Sequence, residues 1–310
     1  MKSSTQSWRN ADSPVLRAFA RSRTVQIAAF LLLLIAIASI FAPWIARQNP
    51  FDPANLDLID AFTPPWSEGV TGAFYPLGAD DQGRDVLSAI LYGLRMSMLV
   101  GVSAIALSLA IGVPLGLAAG YVAGGAGGWF DTLVMRIADV QLTFPVLLVA
   151  LLIFGIARGL LPAGYRDDMA VYVIVLAIGL SDWVQYARTV RGAVLVEKHK
   201  DYVAAAQIIG RSPAAILRHH ILPNLMAPVL VIAAISFALA IVAESTLSYL
   251  GVGLPPTQPS LGTLIRIGQG FLFSGEWWIL LFPGLVLLAL ALSVNLVADW
   301  LRDALNPKLQ

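Results

Sequence analysis

Long apolar runs separated by short polar intervals dominate this chain. Runs over 24–46, 94–121, 131–156, 169–190, 225–250 and 277–300 each have the length that lets a helix cross about 30 Å of hydrocarbon. The pattern predicts an all-α integral membrane protein with six transmembrane helices. Ala36-Ile37-Ala38 resembles a signal-peptidase site, but the run starts late and continues past it, so the first span is read as uncleaved. The interval 48–85 holds Pro50, Pro53, Pro64, Pro65 and Pro76 and reads as an extramembrane excursion. Residues 86–93 read as a short interfacial helix, and Pro145 as a kink inside the third span. The Pro/Gly-rich piece 251–276 links the last two spans outside the bilayer, with Trp277, Trp278 and Trp300 as interfacial anchors. Ser108, Gly112, Gly116 and Gly120 recur every four residues, a stripe that lets a second helix approach closely.

The interval 201–224, DYVAAAQIIGRSPAAILRHHILPN, carries its own folding signals. Asp201 is placed to cap a short helix through Ile209, and Gly210 supplies the left-handed residue on which helices stop. Ser212 followed by Pro213 restarts a helix, because a hydroxyl can cap free N–H groups and the proline ring fits the first turn. That second helix is predicted over 214–222, ending at Pro223. The product is helix, glycine-centred turn, helix: either a structural connector or a docking surface.

Composition agrees with the pattern. Hydrophobic residues make up 58% of the 310 residues and charged ones 13%, and the mean hydropathy is +0.76, which implies several spans rather than one anchor. A net charge of +1 leaves too few unpaired positive residues for a nucleic-acid-binding face. The chain has no cysteine, which excludes disulfides, thiol catalysis and thiolate metal sites. With six spans, one side collects Lys2, Arg9, Arg17, Arg21, Arg23, Arg136, Arg188, Arg191, Lys198, Lys200, Arg211, Arg218, Arg302 and Lys308. The other collects Arg47, Arg84, Arg95, Arg158, Arg166 and Arg266. The positive-inside rule makes the first side cytoplasmic, with both termini and the 201–224 interval on it.

Candidate chemistry is sparse. The lysines Lys2, Lys198, Lys200 and Lys308 do not follow a glycine, so 124–128 is a turn and the chain has no Walker motif. The histidines His199, His219 and His220 lack a metal-ligand spacing, and no nucleophile elbow occurs. No catalytic residue and no cofactor of the chain's own are expected. Asp80, Asp81 and Asp85 read as turn and capping residues before the helix at Val86. Asp139, Asp182 and Glu244 fall within spans, where an ionisable group is costly and suggests function. Glu244 is a candidate for the pathway or its gating, or else a group that hydrogen-bonds a neighbour; a proton-coupled secondary transporter would use it as a relay.

The 201–224 interval resembles the EAA loop of membrane subunits of ATP-binding-cassette importers. In that loop Glu-Ala-Ala is followed after three residues by Gly, and after nine more by Ile-x-Leu-Pro. Ala205, Ala206, Gly210, Leu222 and Pro223 match in register; Ala204 replaces the Glu and His220 the Ile. The segments PLGADDQGRDVLS (76–88), LSYLGVGLPPT (247–257) and the run from Trp277-Trp278 through Phe282-Pro283-Gly284 to Asn306-Pro307 narrow the resemblance to the "C" type permease of the dipeptide/oligopeptide family.

The resemblance implies the type I importer permease fold. Residues 1–94 would hold the N-terminal tail, first span and periplasmic segment, 95–299 the permease domain, and 300–310 a cytoplasmic tail. It further implies a multi-pass protein of the bacterial inner membrane, in contact with lipid and working with three kinds of partner: a homologous "B" type permease, two cytoplasmic ATP-binding subunits and an extracytoplasmic substrate-binding protein. ATP and Mg would be bound by the ATPase partners. The residues implied to couple to them are Asp201, Ala205, Ala206, Gly210, Ser212, Pro213, Leu222 and Pro223. Di- or oligopeptides are the implied cargo.

Overall fold

The computed structural model describes residues 19–20, 22–52, 54, 56–125 and 127–305. Lys2, Arg9, Arg17, Arg21 and Lys308, which entered the charge count, lie outside the described residues, as does the Asn306-Pro307 end of the last motif.

The first span is α1 (Arg23–Ile40), started by the Ser22 hydroxyl, which accepts from the Val25 N–H at 3.4 Å. It stops at Phe41, earlier than the apolar run suggests, and a short α2 (Ala42–Ile45) with Pro43 in its first turn leads away. The excursion that follows contains a small antiparallel hairpin, β1 (Ser67–Glu68) with β2 (Phe74–Tyr75), folded around Asp60. The Asp60 side chain is fully buried. It accepts from the Thr71 N–H (3.0 Å), the Thr71 hydroxyl and the Tyr75 hydroxyl (3.1 Å). Burial works to raise the Asp60 pKa, and these donors together outweigh it, leaving the pKa below its ordinary value. Burial and the Asp60 contact push the Tyr75 hydroxyl up to about 12.

The long helix α3 (Val86–Val122) has 37 residues, about 55 Å at 1.5 Å per residue. It absorbs 86–93, which is therefore not a separate interfacial helix. No glycine or proline interrupts 86–92, and Asp85 caps the whole element by accepting from Ser88 N–H at 2.9 Å. The neighbouring carboxylate Asp80 holds Arg84 at 2.6 Å and accepts from the Gln82 and Arg84 N–H groups. The Asp80–Asp85 cluster is thus turn and cap.

The third predicted span is the largest correction. In place of one kinked helix over 131–156, the structure has α4 (Gly128–Leu142) and α5 (Val146–Leu160), bent from each other by 98°. Pro145 offers no N–H and disfavours helical backbone at Phe144, so the chain breaks where a mere kink was expected. The Gln141 amide donates to the Leu180 and Ser181 carbonyls (3.0 and 2.8 Å) and accepts from the Trp183 indole (2.9 Å). These three bonds fix the broken end of α4 against the middle of the next span, α6 (Ala170–Glu197).

Among the described residues, helices α3 and α6 share the broadest contact, and the small-residue stripe explains it. A Cβ on Gly116 would lie 2.5 Å from the Ala187 carbonyl, one on Gly120 2.7 Å from Val194, and one on Gly112 would strike the Trp183 carbonyl. Ser108 donates across the seam to the Gly179 carbonyl at 2.9 Å. Two ion pairs, Arg191 with Asp131 and Arg188 with Asp139, lace α6 to α4.

After α6 come α7 (Asp201–Ile208), α8 (Pro213–Ile216), a π turn over Leu217–Ile221 and the span α9 (Leu222–Tyr249). The piece before the last span is not a loose linker. It holds α10 (Leu261–Gln269), capped by Ser260, whose Leu261 and Leu264 are buried against α3, α9 and the final span α11 (Trp278–Ala304). The Trp278 indole donates to the Ala79 carbonyl at 3.0 Å and Phe271 meets Phe62 edge-on. The excursion and α10 therefore share one end of the bundle. Among the described residues, five helices are long and apolar enough to cross a membrane, or six if the bent α4–α5 pair counts as one span.

Candidate functional site

The opposite end of the bundle carries a two-helix knob over 201–224. Its turn forms because Gly210 adopts φ +81°. With that residue left-handed, Gly210 N–H reaches the Gln207 carbonyl (2.9 Å) and Arg211 N–H the Ala206 carbonyl (3.1 Å). Together these close a Schellman motif. A Cβ on Gly210 would meet nothing within 4 Å, so the position needs glycine for conformation and not for space. The Ser212 hydroxyl then accepts from the Ala215 N–H (3.3 Å), with Pro213 in the first turn.

Two local expectations are corrected. Asp201 does not cap α7: Lys200 occupies the cap position without a side-chain bond, and Asp201 sits in the first turn, where its charge favours the helix dipole. Pro223 does not end the second helix. It falls in the first turn of α9, where its missing N–H costs little, and the π turn at 217–221 carries the chain through without a stop.

The knob is tied to both spans that flank it. Glu197, the last residue of α6, accepts from Lys200 (3.0 Å) and from the Tyr202 hydroxyl (2.5 Å), while Asn224 of α9 donates to that hydroxyl (3.2 Å) and to the His220 carbonyl (2.7 Å). Burial and the Glu197 contact raise the Tyr202 pKa. The Lys198 ammonium donates to the Gly120 and Ala123 carbonyls (3.0 and 2.7 Å), the free carbonyls at the negative end of α3. Beneath the knob, Val203, Ala206, Ile216 and Ile221 pack with Val190, Val194, Leu225 and Val229. The knob is thus in contact with α3, α6 and α9 together.

Its outer surface presents apolar residues among polar ones such as Gln207 and Arg211. Ile208 is 86% and Ile209 78% exposed, with Ala204, Ala205, Ser212 and Pro213 exposed around them. Ala205 and Ala206 face opposite ways, the first outward and the second into the packed underside. Leu222 is half-buried and Pro223 exposed at the base of α9. Sequence reasoning passed over Ile208 and Ile209 as surface, and over Lys198, Tyr202 and Asn224 as ties. Two adjacent isoleucines directly before a helix-stopping glycine were the available signal for the first pair.

Glu244 lies elsewhere, fully buried in α9. Its carboxylate accepts from Ser97 of α3 (2.9 Å) and from Ser248 (2.7 Å) and Ser245 (3.4 Å) of its own helix. Ser97 also accepts from the Leu261 N–H of α10 (3.3 Å). The cluster joins three helices.

The bundle thus carries a knob with exposed apolar residues at one end and a folded excursion at the other. Residues 112–310 match the family described as binding-protein-dependent transport system inner membrane component, and residues 13–65 match the N-terminal transmembrane domain of oligopeptide transport permease C. The chain belongs to the first of these families. The dipeptide transport system permease protein DppC of Haemophilus influenzae is 38% identical over 293 residues, covering 94% of this chain and 93% of the relative. The oligopeptide transport system permease protein OppC of Bacillus subtilis is 35% identical over 309 residues, covering 100% and 92%. Among solved structures, the inward-facing MetNI methionine ABC transporter matches with a TM-score of 0.52 at 17% identity, over 71% of this chain and 96% of that one. That likeness establishes the fold as that of a type I importer permease.

Proposed function

We propose that this chain is the "C" type membrane subunit of an ATP-driven importer of di- or oligopeptides, and that 201–224 is its coupling element on the cytoplasmic face. The observation that carries the proposal is the knob: an exposed Ile208–Ile209 surface built on helices tied to α3, α6 and α9. Apolar residues presented on a rigid support suit insertion into a groove of a partner. Because the support is shared with three spans, closure of ATPase subunits on nucleotide would turn those spans as a body. The relatives' names supply the cargo class.

The remaining assignments follow from this one. ATP and Mg belong to two ATPase partners. A homologous "B" type permease completes the pathway, and an extracytoplasmic binding protein delivers cargo to the end bearing the excursion. Both termini are cytoplasmic, in an inner membrane. Docking rests on shape and apolar contact, since Ala204 stands where the related loops have Glu. Glu244, hydrogen-bonded by serines, acts as an internal strut that keeps α3, α9 and α10 moving together. The proton-coupled alternative draws no support from relatives that are binding-protein-dependent permeases. Co-expression with the neighbouring subunits, purification, and reconstitution with radiolabelled dipeptide test the proposal. ATP-dependent accumulation supports it, and accumulation driven by a proton gradient without ATPase subunits overturns it.

A further inference from the structure

The break between α4 and α5 leaves a cavity of about 300 Å³ beside α6 and α9. Val146 and Leu147, the first residues after the break, line it together with Leu239 and Ala240; Asp182, Gln185, Ser236 and Thr246 supply its polar groups. Asp182 lies 12 residues into α6 and Ser236 14 residues into α9, which sets both about 20 Å from their helix ends, near mid-depth of the bundle.

Two of the buried span carboxylates, Glu244 and Asp182, are furnished differently. Glu244 has both oxygens taken up by serine hydroxyls. Asp182 is 92% buried, being 8% exposed, and receives the Gln185 amide at 2.7 Å. Among the described residues no Lys, Arg or His pairs with it; Arg188 and Arg191 of the same helix are engaged by Asp139 and Asp131. The Ser236 hydroxyl lies beside the carboxylate, and the Tyr186 hydroxyl lies beside that of Ser236. Neither closes a hydrogen bond of standard geometry, although both residues are almost wholly buried. Unsatisfied polar groups at this depth are costly, and of the two Ser236 lines the open space.

We propose that this cavity is a transient site for the primary ammonium group of the cargo in transit, with Asp182 as the counter-charge. An ammonium has three N–H donors and no acceptor. The Asp182 carboxylate and the Ser236 hydroxyl oxygen are acceptors of the matching kind, and a charge-assisted bond is the stronger of the two. The apolar walls suit the carbon body that an ammonium carries. A divalent cation would demand more oxygen ligands and more negative charge than one carboxylate among neutral groups provides. The inference rests on the peptide-import reading, in which every unblocked peptide brings such a group at its amino terminus and a lysine residue brings a second.

The test uses the complete transporter with its binding protein in proteoliposomes, and measures uptake of Ala-Leu, N-acetyl-Ala-Leu and N-acetyl-Ala-Lys. Wild type, Asp182→Asn, Asp182→Glu and Ala243→Leu, which fills the cavity from α9, are compared, with assembly checked by co-purification. The site predicts at least a tenfold loss of Ala-Leu uptake in Asp182→Asn and in Ala243→Leu, partial recovery in Asp182→Glu, and inhibition of wild-type uptake by phenethylammonium that Asp182→Asn abolishes. Uptake of N-acetyl-Ala-Lys lost along with Ala-Leu in Asp182→Asn assigns the site to ammonium from either source; loss of Ala-Leu uptake alone assigns it to the amino terminus. Wild-type rates and unchanged amine inhibition in the variants overturn the site while leaving peptide import standing. Should Asp182→Asn fail to assemble, Ala243→Leu decides on the same criteria. A wild-type complex that accumulates no peptide refutes the import reading itself.

Discussion

Replacing Ile208 and Ile209 together by serine removes the apolar tip of the knob and leaves its frame intact. Both side chains point away from the packed underside, at 86% and 78% exposure, so the isolated subunit loses almost no internal contact. Serine also keeps a workable helix preference at these positions. If docking buries both side chains, each contributes about 1.5–3 kcal/mol of apolar transfer, and the pair about 3–6 kcal/mol as an upper range. At 1.4 kcal/mol per decade, that is a loss of roughly 10²- to 10⁴-fold in affinity for the ATPase subunits. The assay titrates purified ATPase into permease held in lipid nanodiscs and reads the dissociation constant, with thermal unfolding of the permease as the control. Val203→Ser is the opposite case: Val203 is fully buried under the knob, so this change lowers permease stability as well. An Ile208→Ser, Ile209→Ser double variant that binds ATPase within threefold of wild type refutes the assignment of this surface.

Other consequences are open to direct measurement. Gly210→Ala meets no steric obstacle but puts a Cβ on left-handed backbone, at a cost of about 1–2 kcal/mol. Gly210→Pro also deletes the N–H bonded to Gln207, so hydrogen exchange over 201–212 rises slightly in the first and broadly in the second. Lys198→Met removes the bonds to the end of α3 and is expected to lower transport more than ATP hydrolysis, read as peptide moved per ATP. Gly116→Leu drives a side chain into the Ala187 backbone, and the subunit is expected to be degraded or to lose its α3–α6 packing, read by yield and melting temperature. The Asp60 pKa is lowered in the folded excursion, so its stabilising share is complete above the unfolded value of 3.8 and fades as pH falls through the lower folded value. Protease nicking of 58–85 is expected to rise in that acid window, and Asp60→Asn to show the nicking at neutral pH.

The periodic parts of the fold were legible because they are local. Span positions follow from apolar run length, the α3–α6 contact from a four-residue repeat of small side chains, and the turn of the knob from Gly210, Ser212 and Pro213. What escaped depends on partners distant in sequence. Pro145 signalled a disturbance, but the bonds that hold the broken end in place run from Gln141 to 180–183, some forty residues on. Helix α10 was hidden in a Pro/Gly-rich stretch because its Ser260 cap and buried Leu261 and Leu264 acquire meaning only against α3 and α11. The serine cage of Glu244 gathers Ser97 from 147 positions away, and no spacing rule could have found it. At the knob the glycine was evident, whereas the ties through Lys198, Tyr202 and Asn224 needed three spans in place.

The most direct measurement is the number of dipeptides imported per ATP hydrolysed in proteoliposomes carrying the whole transporter with Ala205→Trp. Ala205 lies on the exposed side of α7, so the indole leaves the packed underside untouched and obstructs only what sits against the knob. Normal membrane insertion and a coupling ratio reduced at least tenfold are expected. A variant that imports peptide at the wild-type ratio, with ATP hydrolysis stimulated as usual by the loaded binding protein, contradicts the coupling role of the knob.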